Sequence, residues 1–209
     1  MIKVKICGIT NLEDALVSIK LGAEILGFNF FEKSPRYISP GSAKEIIKKL
    51  PAESITVGVF VNESIDSTSR IAQETGIDAI QLHGDETPEF TETVRLWTGL
   101  QLIKAFRISN QFIASDVLKY DVDAILLDSY SHAGYGGTGK KFDWEIARQM
   151  RDLFPRLYLA GGLKPANVGE AVETVKPYAV DVCSGVEASK GVKDRKKVEA
   201  FIRNVREAI

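Results

Sequence analysis

KVKICGITNLEDALVSIKLGAEILGFNF, residues 3–30, holds the pattern on which the fold turns. A short β-branched run, VKIC (4–7), leads into NLEDALVSIKLG, where apolar residues recur at helical spacing, and then into a second run, EILGFNF (24–30). Asn11 has the chemistry of a helix N-cap and Gly22 that of a helix stop. Two strands separated by one helix pair in parallel through a right-handed crossover. The unit then repeats. Further strands are expected at ITVGVFV (55–61), AIQLH (79–83), LIKAF (102–106), AILLD (124–128), LYLAG (157–161) and AVDVC (179–183).

Amphipathic stretches separate these runs. SAKEIIKKLP carries an expected N-cap at Ser42 and ends against Pro51. ESIDSTSRIAQETG, TPEFTETVRLW, DWEIARQMRDLF, KPANVGEAVETV and DRKKVEAFIRNVREA follow the same scheme. SNQFIASDVLKY (109–120) is the weakest and predicts a short or irregular fifth helix. Eight strand–helix units in 209 residues, about 26 residues each, imply a closed (β/α)8 TIM barrel, an α/β fold in one domain spanning residues 1–209. The competing architecture is an open doubly wound sheet. Against it, the first turn, CGITN, lacks the GxGxxG phosphate fingerprint.

Bulk properties narrow the function classes. The chain is 44% hydrophobic and 26% charged with a net charge of −1. That balance exerts no general pull on nucleic acid or anionic membrane, so neither is expected as a partner. No apolar run approaches the ~20 residues that span a bilayer. The first strand begins almost at once, which reads as no secretory leader, and a cytoplasmic location is expected. Cys7 and Cys183, far apart in a chain of this kind, are a poor disulfide signature. Neither CxxC nor HxxxH spacing occurs, and His83 and His132 have no thiol near them in sequence, so no metal is expected.

In a barrel, chemistry gathers at the C-terminal ends of the strands and on the loops that follow them. After the seventh strand the chain reads AGGLKPANV (160–168), and after the eighth CSGVEASKG (183–191). Gly161 and Gly162 allow close approach to backbone N–H groups, while Ser184 and Gly185 add a hydroxyl and more such groups, at the start of a short extra helix. These loops occupy the usual phosphate position of the fold. Each glycine set alone also reads as a tight strand-to-helix turn. VFVNES and LHGDET, after strands three and four, show no second glycine pair, which favours a substrate with one phosphate.

Cys7 ends the first strand and Asp128 the sixth, so both face the barrel mouth from different sides. A thiol and a carboxyl flanking a sugar phosphate suit paired proton transfers, one from carbon and one to oxygen. The plainer readings are a small buried hydrophobe for Cys7 and a loop-capping carboxylate for Asp128.

The motifs KICGIT, GFNFFEKSPRYIS, GVFVN, QLHGDE, LLDS with GGTGKKFDW, AGGLKPANV and DVCSGVE together resemble the phosphoribosylanthranilate isomerase family of tryptophan biosynthesis, in that family's order from residue 3 to about 190. The resemblance implies an Amadori rearrangement of N-(5-phosphoribosyl)anthranilate to 1-(2-carboxyphenylamino)-1-deoxyribulose 5-phosphate. It makes Asp128 the general acid and Cys7 the general base, with no cofactor or metal. It assigns Arg36 to the anthranilate carboxylate, a good match for a planar guanidinium. His83 either lines the pocket or serves a structural hydrogen bond. Asp181, on the parity of Cys183, is expected to meet the substrate's polar groups. Where the family commonly has serine, this chain has Cys183, which reads as an incidental modification site rather than a catalytic group. The glycine-rich loop 129–142, with Gly136, Gly137 and Gly139, reads as a mobile cover over the site.

Two alternatives stand beside this reading. The histidine-pathway isomerase performs the same rearrangement on a longer substrate, but with aspartates at both catalytic positions and a grip on two phosphates. A non-catalytic phosphometabolite-binding barrel has no need of both Cys7 and Asp128. Whether the chain is a monomer or a homodimer is left open by the sequence.

Overall fold

A computed structural model describes residues 1–108, 112–129 and 144–208. Eight parallel strands close into a barrel in sequence order, with β1 (Lys3–Cys7) hydrogen-bonded to both β2 (Ile25–Asn29) and β8 (Ala179–Val182). Between them run β3 (Ile55–Phe60), β4 (Ala79–Leu82), β5 (Gln101–Ile108), β6 (Ala124–Ser129) and β7 (Leu157–Leu159). Each strand is followed by a helix: α1 (Leu12–Lys20), α2 (Pro40–Ile47), α3 (Ile65–Thr75), α4 (Pro88–Thr98), α5 (Ala114–Val117), α6 (Trp144–Leu153), α7 (Pro165–Val175) and α8 (Arg195–Glu207). The fold is the expected (β/α)8 barrel, and the open sheet is excluded by the β1–β8 ladder.

Local chemistry explains most helix boundaries. Asn11 caps α1 by accepting from the Asp14 N–H, as expected. The cap of α2 is Ser39, not Ser42: Pro40 follows it in the first turn, and the Ser42 N–H donates to the Ser39 hydroxyl. Proline is preorganised for that first position, so the helix begins earlier than the apolar period alone suggests. The fifth helix has only four residues and no side-chain cap bond, in line with its weak pattern.

Strand alternation sorts the side chains into two layers. Val4, Ile6, Leu26, Phe28, Ile80 and Leu102 face outward and are buried beneath the helices, together with Phe201 of α8. Ile25, Val57, Ala79, Ile103, Leu126 and Tyr158 fill the barrel interior. His83, Gly161 and Cys183, expected as strand residues, lie just beyond the last ladder step. There the chain turns outward, and their groups belong to the rim. A small antiparallel hairpin, Glu187–Ser189 with Val192–Lys193, follows β8 and was not anticipated. Except for Ser129, the segment read as a mobile cover lies outside the described residues.

Candidate active site

The strand ends surround a cavity of roughly 640 Å³. Cys7, Arg36, His83, Asp128, Gly161, Gly162, Asp181, Ser184 and Gly185 all line it, so every expected site residue converges on one space. The arrangement follows from parity. Lys5 and Cys7 are two apart on β1, and Asp181 lies opposite Lys5 in the β1–β8 register, so their side chains share the inner face.

Asp128 is buried at 6% exposure. Its Oδ2 lies 3.4 Å from His83 Nε2, and His83 Nδ1 is 2.7 Å from the amide nitrogen of Gln81. His83 therefore both lines the cavity and takes part in a hydrogen-bonded chain. Among the described residues, Asp128 Oδ1 and Gln81 Oε1 are buried without a hydrogen-bond partner. Buried polar atoms are costly unless paired, and those left so at a cavity wall are poised for a ligand.

Around Cys7 the environment is cationic. Lys5 is fully buried and its ammonium donates to Asp181 Oδ1 at 2.9 Å. Lys193 reaches in from the hairpin to donate to the Cys7 carbonyl at 2.6 Å and to Glu187 Oε1 at 3.2 Å. The Cys7 thiol is held well below its usual range, first by a hydrogen bond from the Cys183 thiol and then, against the opposing effect of burial, by Lys5 and Lys193. Burial pushes the Asp181 carboxyl up to about 6, although Lys5 pulls the other way. Burial also acts to lower Lys5, but Asp181 and Cys7 together more than reverse it and the ammonium stays charged. Both members of the pair thus move upward, Asp181 chiefly through burial and Lys5 chiefly through Asp181, with the Cys7 sulfur adding to each shift.

Arg36 is presented by the loop after β2. Ser34 receives the Arg36 N–H at 3.2 Å and the Asn29 amide at 3.1 Å, which fixes the approach. The guanidinium forks onto Glu187, with Nε donating at 3.0 Å and Nη2 at 2.8 Å. Burial alone would raise the Glu187 carboxyl, yet the Arg36 fork and Lys193 hold it down at about 2.

Just after β7, Gly161 and Gly162 have φ of 85° and 68°, the left-handed region that favours glycine. The extra helix after β8 is a single 3₁₀ turn, Ser184–Val186. A β-carbon at Gly185 would collide with the carbonyl oxygen of Leu163, so the two glycine loops lie against each other. Lys5, Gln81, Glu187 and Lys193 were not singled out from the sequence. For Lys5 and Gln81 a signal existed, since each is a polar residue on an apolar strand two positions before a chosen site residue. For Glu187 and Lys193 none did, because their place depends on the hairpin.

A sequence model of N-(5'phosphoribosyl)anthranilate (PRA) isomerase matches residues 4–204. The chain belongs to the phosphoribosylanthranilate isomerase family. An N-(5'-phosphoribosyl)anthranilate isomerase of Trichlorobacter lovleyi is 47% identical over 209 residues, all of both chains. The crystal structure of phosphoribosyl anthranilate isomerase from Thermotoga maritima superposes with a TM-score of 0.90 at 44% identity, covering 99% of this chain and 100% of that one. A further phosphoribosyl anthranilate isomerase structure, in complex with reduced 1-(o-carboxyphenylamino)-1-deoxyribulose 5-phosphate, has a TM-score of 0.85 at 41% identity, with 99% and 100% covered. The chain is thus an enzyme, a phosphoribosylanthranilate isomerase of tryptophan biosynthesis. Among the described residues of this family member, no group of three or more His, Cys, Asp or Glu is placed to hold a metal ion, and no helix is long and apolar enough to cross a membrane.

Proposed function

We propose that the cavity catalyses the Amadori rearrangement of N-(5-phosphoribosyl)anthranilate to 1-(2-carboxyphenylamino)-1-deoxyribulose 5-phosphate, with Asp128 as general acid and Cys7 as general base. The observation that carries this is the pairing of a thiol shifted toward thiolate with a buried carboxyl whose Oδ1 has no partner among the described residues, on strands facing across one cavity. Asp128 protonates the furanose ring oxygen, and the bond from that oxygen to C1′ breaks. The anilino nitrogen supplies the electron pair, leaving a cationic imine. Cys7 then takes the C2′ proton, the electrons flow to the imine nitrogen, and the enolamine tautomerises to the ketone. The imine is its own electron sink, so two placed proton carriers suffice.

The remaining groups position the substrate. The phosphate sits on Gly161, Gly162, Ser184 and Gly185. The anthranilate carboxylate is met by the Arg36 Nη1 group, the part of the guanidinium outside the fork with Glu187. His83 orients Asp128. Asp181 acts on the chemistry through Lys5 and Cys7 as well as by facing the substrate. The relative bound to a reduced deoxyribulose-phosphate product supports this choice of ligand.

The test is an anthranilate-fluorescence assay on freshly made phosphoribosylanthranilate. Cys7→Ala and Asp128→Asn should each lower kcat by roughly 10²–10⁴-fold or more with substrate still bound. Wild-type turnover in either variant would remove that residue from its role. Arg36→Ala should raise KM more than it lowers kcat.

A further inference from the structure

The two cysteines are 176 positions apart in sequence, yet both are free thiols on the same wall of the cavity. Ladder geometry brings them together. The β1–β8 register ends with Ile6 opposite Val182, and the next residues outward are Cys7 and Cys183. Lys5 and Asp181, two residues back on the same faces, already touch through their side chains. Neighbouring strands run about 4.8 Å apart, inside the roughly 4.4–6.8 Å separation of Cα atoms that a disulfide requires. Each thiol also bears on the other's proton affinity, Cys183 lowering that of Cys7 and Cys7 raising that of Cys183.

Glycines clear the space around both sulfurs. A β-carbon at Gly27 would lie 2.8 Å from Cys7 Sγ, and one at Gly8 2.9 Å from Cys183 Sγ. The surroundings divide the labour between the thiols. Lys5 Nζ and Cys7 Sγ both lie against Gly27, so this cation favours a thiolate at Cys7, while Lys193, bonded to the Cys7 carbonyl, also lies 3.9 Å from Cys183 Sγ. The neighbouring Cys7 sulfur and burial raise the Cys183 thiol, which lies 3.7 Å from Glu187 Oε1. A thiolate beside a protonated thiol, both opening on a solvent-connected cavity, is the arrangement of an attacking and a resolving cysteine.

We propose that Cys7 and Cys183 form a peroxide-sensitive redox pair, whose oxidation to a disulfide closes the active site reversibly. The Cys7 thiolate attacks one peroxide oxygen; the O–O bond breaks, and with a proton taken up, water leaves and Cys7 becomes a sulfenic acid. The Cys183 sulfur then displaces that hydroxyl as a second water, its own proton leaving with it, and the S–S bond forms. Two thiols are oxidised and one hydrogen peroxide is reduced to two waters. A dithiol such as dithiothreitol reverses the change by exchange, becoming a cyclic disulfide itself. Cys183 thereby also shields Cys7 from irreversible oxidation to the sulfinic acid. Formation of the bond is independent of the reaction mechanism; the accompanying loss of turnover rests on Cys7 being the base.

The test treats the purified full chain with a small excess of hydrogen peroxide and reads intact mass, peptide map and activity together. The expected result is a loss of about 2 Da, a peptide linking residues 7 and 183, and a fall in turnover of roughly tenfold or more that dithiothreitol restores. In Cys183→Ser, and in Cys183→Ala if the serine variant folds poorly, Cys7 should instead gain about 32 Da as sulfinic acid. Activity in those variants, measured against each one's own untreated level, should not return with reductant. Thiols that stay unlinked, or a wild-type Cys7 that goes directly to sulfinic acid, would overturn the pair. A linked protein that still turns over would overturn the switch and, separately, the role of Cys7 as base.

Discussion

Among the described residues three buried lysines, Lys5, Lys104 and Lys193, are each paired with a carboxylate, and the first two lie in contrasting surroundings. Lys5 of β1 points into the barrel, where it meets Asp181 and the Cys7 sulfur. Lys104 of β5 points outward beneath the loops after β4 and β5. There it donates to the carbonyls of Gly84 at 2.9 Å and Ala105 at 3.1 Å, and to Glu86 Oε2 at 3.1 Å. Phe106 and Tyr120 present their rings to the same ammonium at 5.5 and 5.9 Å. Glu86 is in turn tied to the backbone N–H groups of Asn62 and Gly84. Lys104 therefore has its donor capacity satisfied by a network that braces the rim. Lys5 has the Cys7 sulfur as a second anionic neighbour beside Asp181. Burial lowers the Lys104 ammonium despite Glu86, whereas Lys5 is shifted upward by its two anionic neighbours. The same kind of pair has its donors saturated by oxygen acceptors at Lys104 and stands beside a thiol in the cavity wall at Lys5.

The sharpest way to break this contrast is Lys5→Met. It should lower kcat by roughly 10²-fold and move the limb of the pH–rate profile that reports Cys7 to higher pH. An unmoved limb would show that Cys183 and Lys193 alone sustain the thiolate. Lys104→Met should behave oppositely. It strands Glu86 and costs roughly 3–5 kcal/mol of stability in urea unfolding, while kcat of the folded fraction changes by no more than about twofold. If turnover collapses in that folded fraction, the two lysines are not functionally distinct.

A smaller effect comes from pH. Asp181 has a folded value of about 6, above the roughly 3.9 of an unfolded aspartate. Its native state therefore holds the proton more tightly, and the stability it contributes is complete below pH ~4 and lost as pH rises through about 6. The difference amounts to roughly 3 kcal/mol as an upper figure, and Asp181→Asn should remove that slope. Glu187 has the opposite sign. Held at about 2, it contributes stability above pH ~4.5 that disappears as pH falls toward 2. Arg36→Met should flatten only this lower window. The least effect belongs to exposed pairs such as Lys48–Glu45, 2.9 Å apart at the C-terminal end of α2. Lys48→Ala should leave Tm unchanged within error, since solvent screens such contacts.

Much of the site was legible because strand parity is a local property. The end of each apolar run locates the rim, and chemistry-bearing residues at those ends, Cys7, His83 and Asp128, project there whatever the neighbours are. The glycine loops at 161–162 and 184–185 were legible for the same reason. Gly8 illustrates the limit. It reads as a turn that frees the preceding thiol, and its φ of 74° agrees, but its lack of a side chain also makes room for Cys183 and Arg36. Those neighbours come from elsewhere in the chain. The sequence placed Arg36 on the loop after β2, where it lines the cavity, but gave no sign of its fork with Glu187.

The sequence by itself determined the eight strand–helix units, the barrel they make, the rim positions and, through its motifs, the family. Tertiary structure decided the partners: Lys5 with Asp181, Arg36 with Glu187, and Cys7 with Cys183. The physical reason is that period and capping are set by residues within one or two turns of each other. The β1–β8 ladder joins opposite ends of the chain, and only its closure gives the thiol at residue 7 the proton donor and cations that shift it toward thiolate.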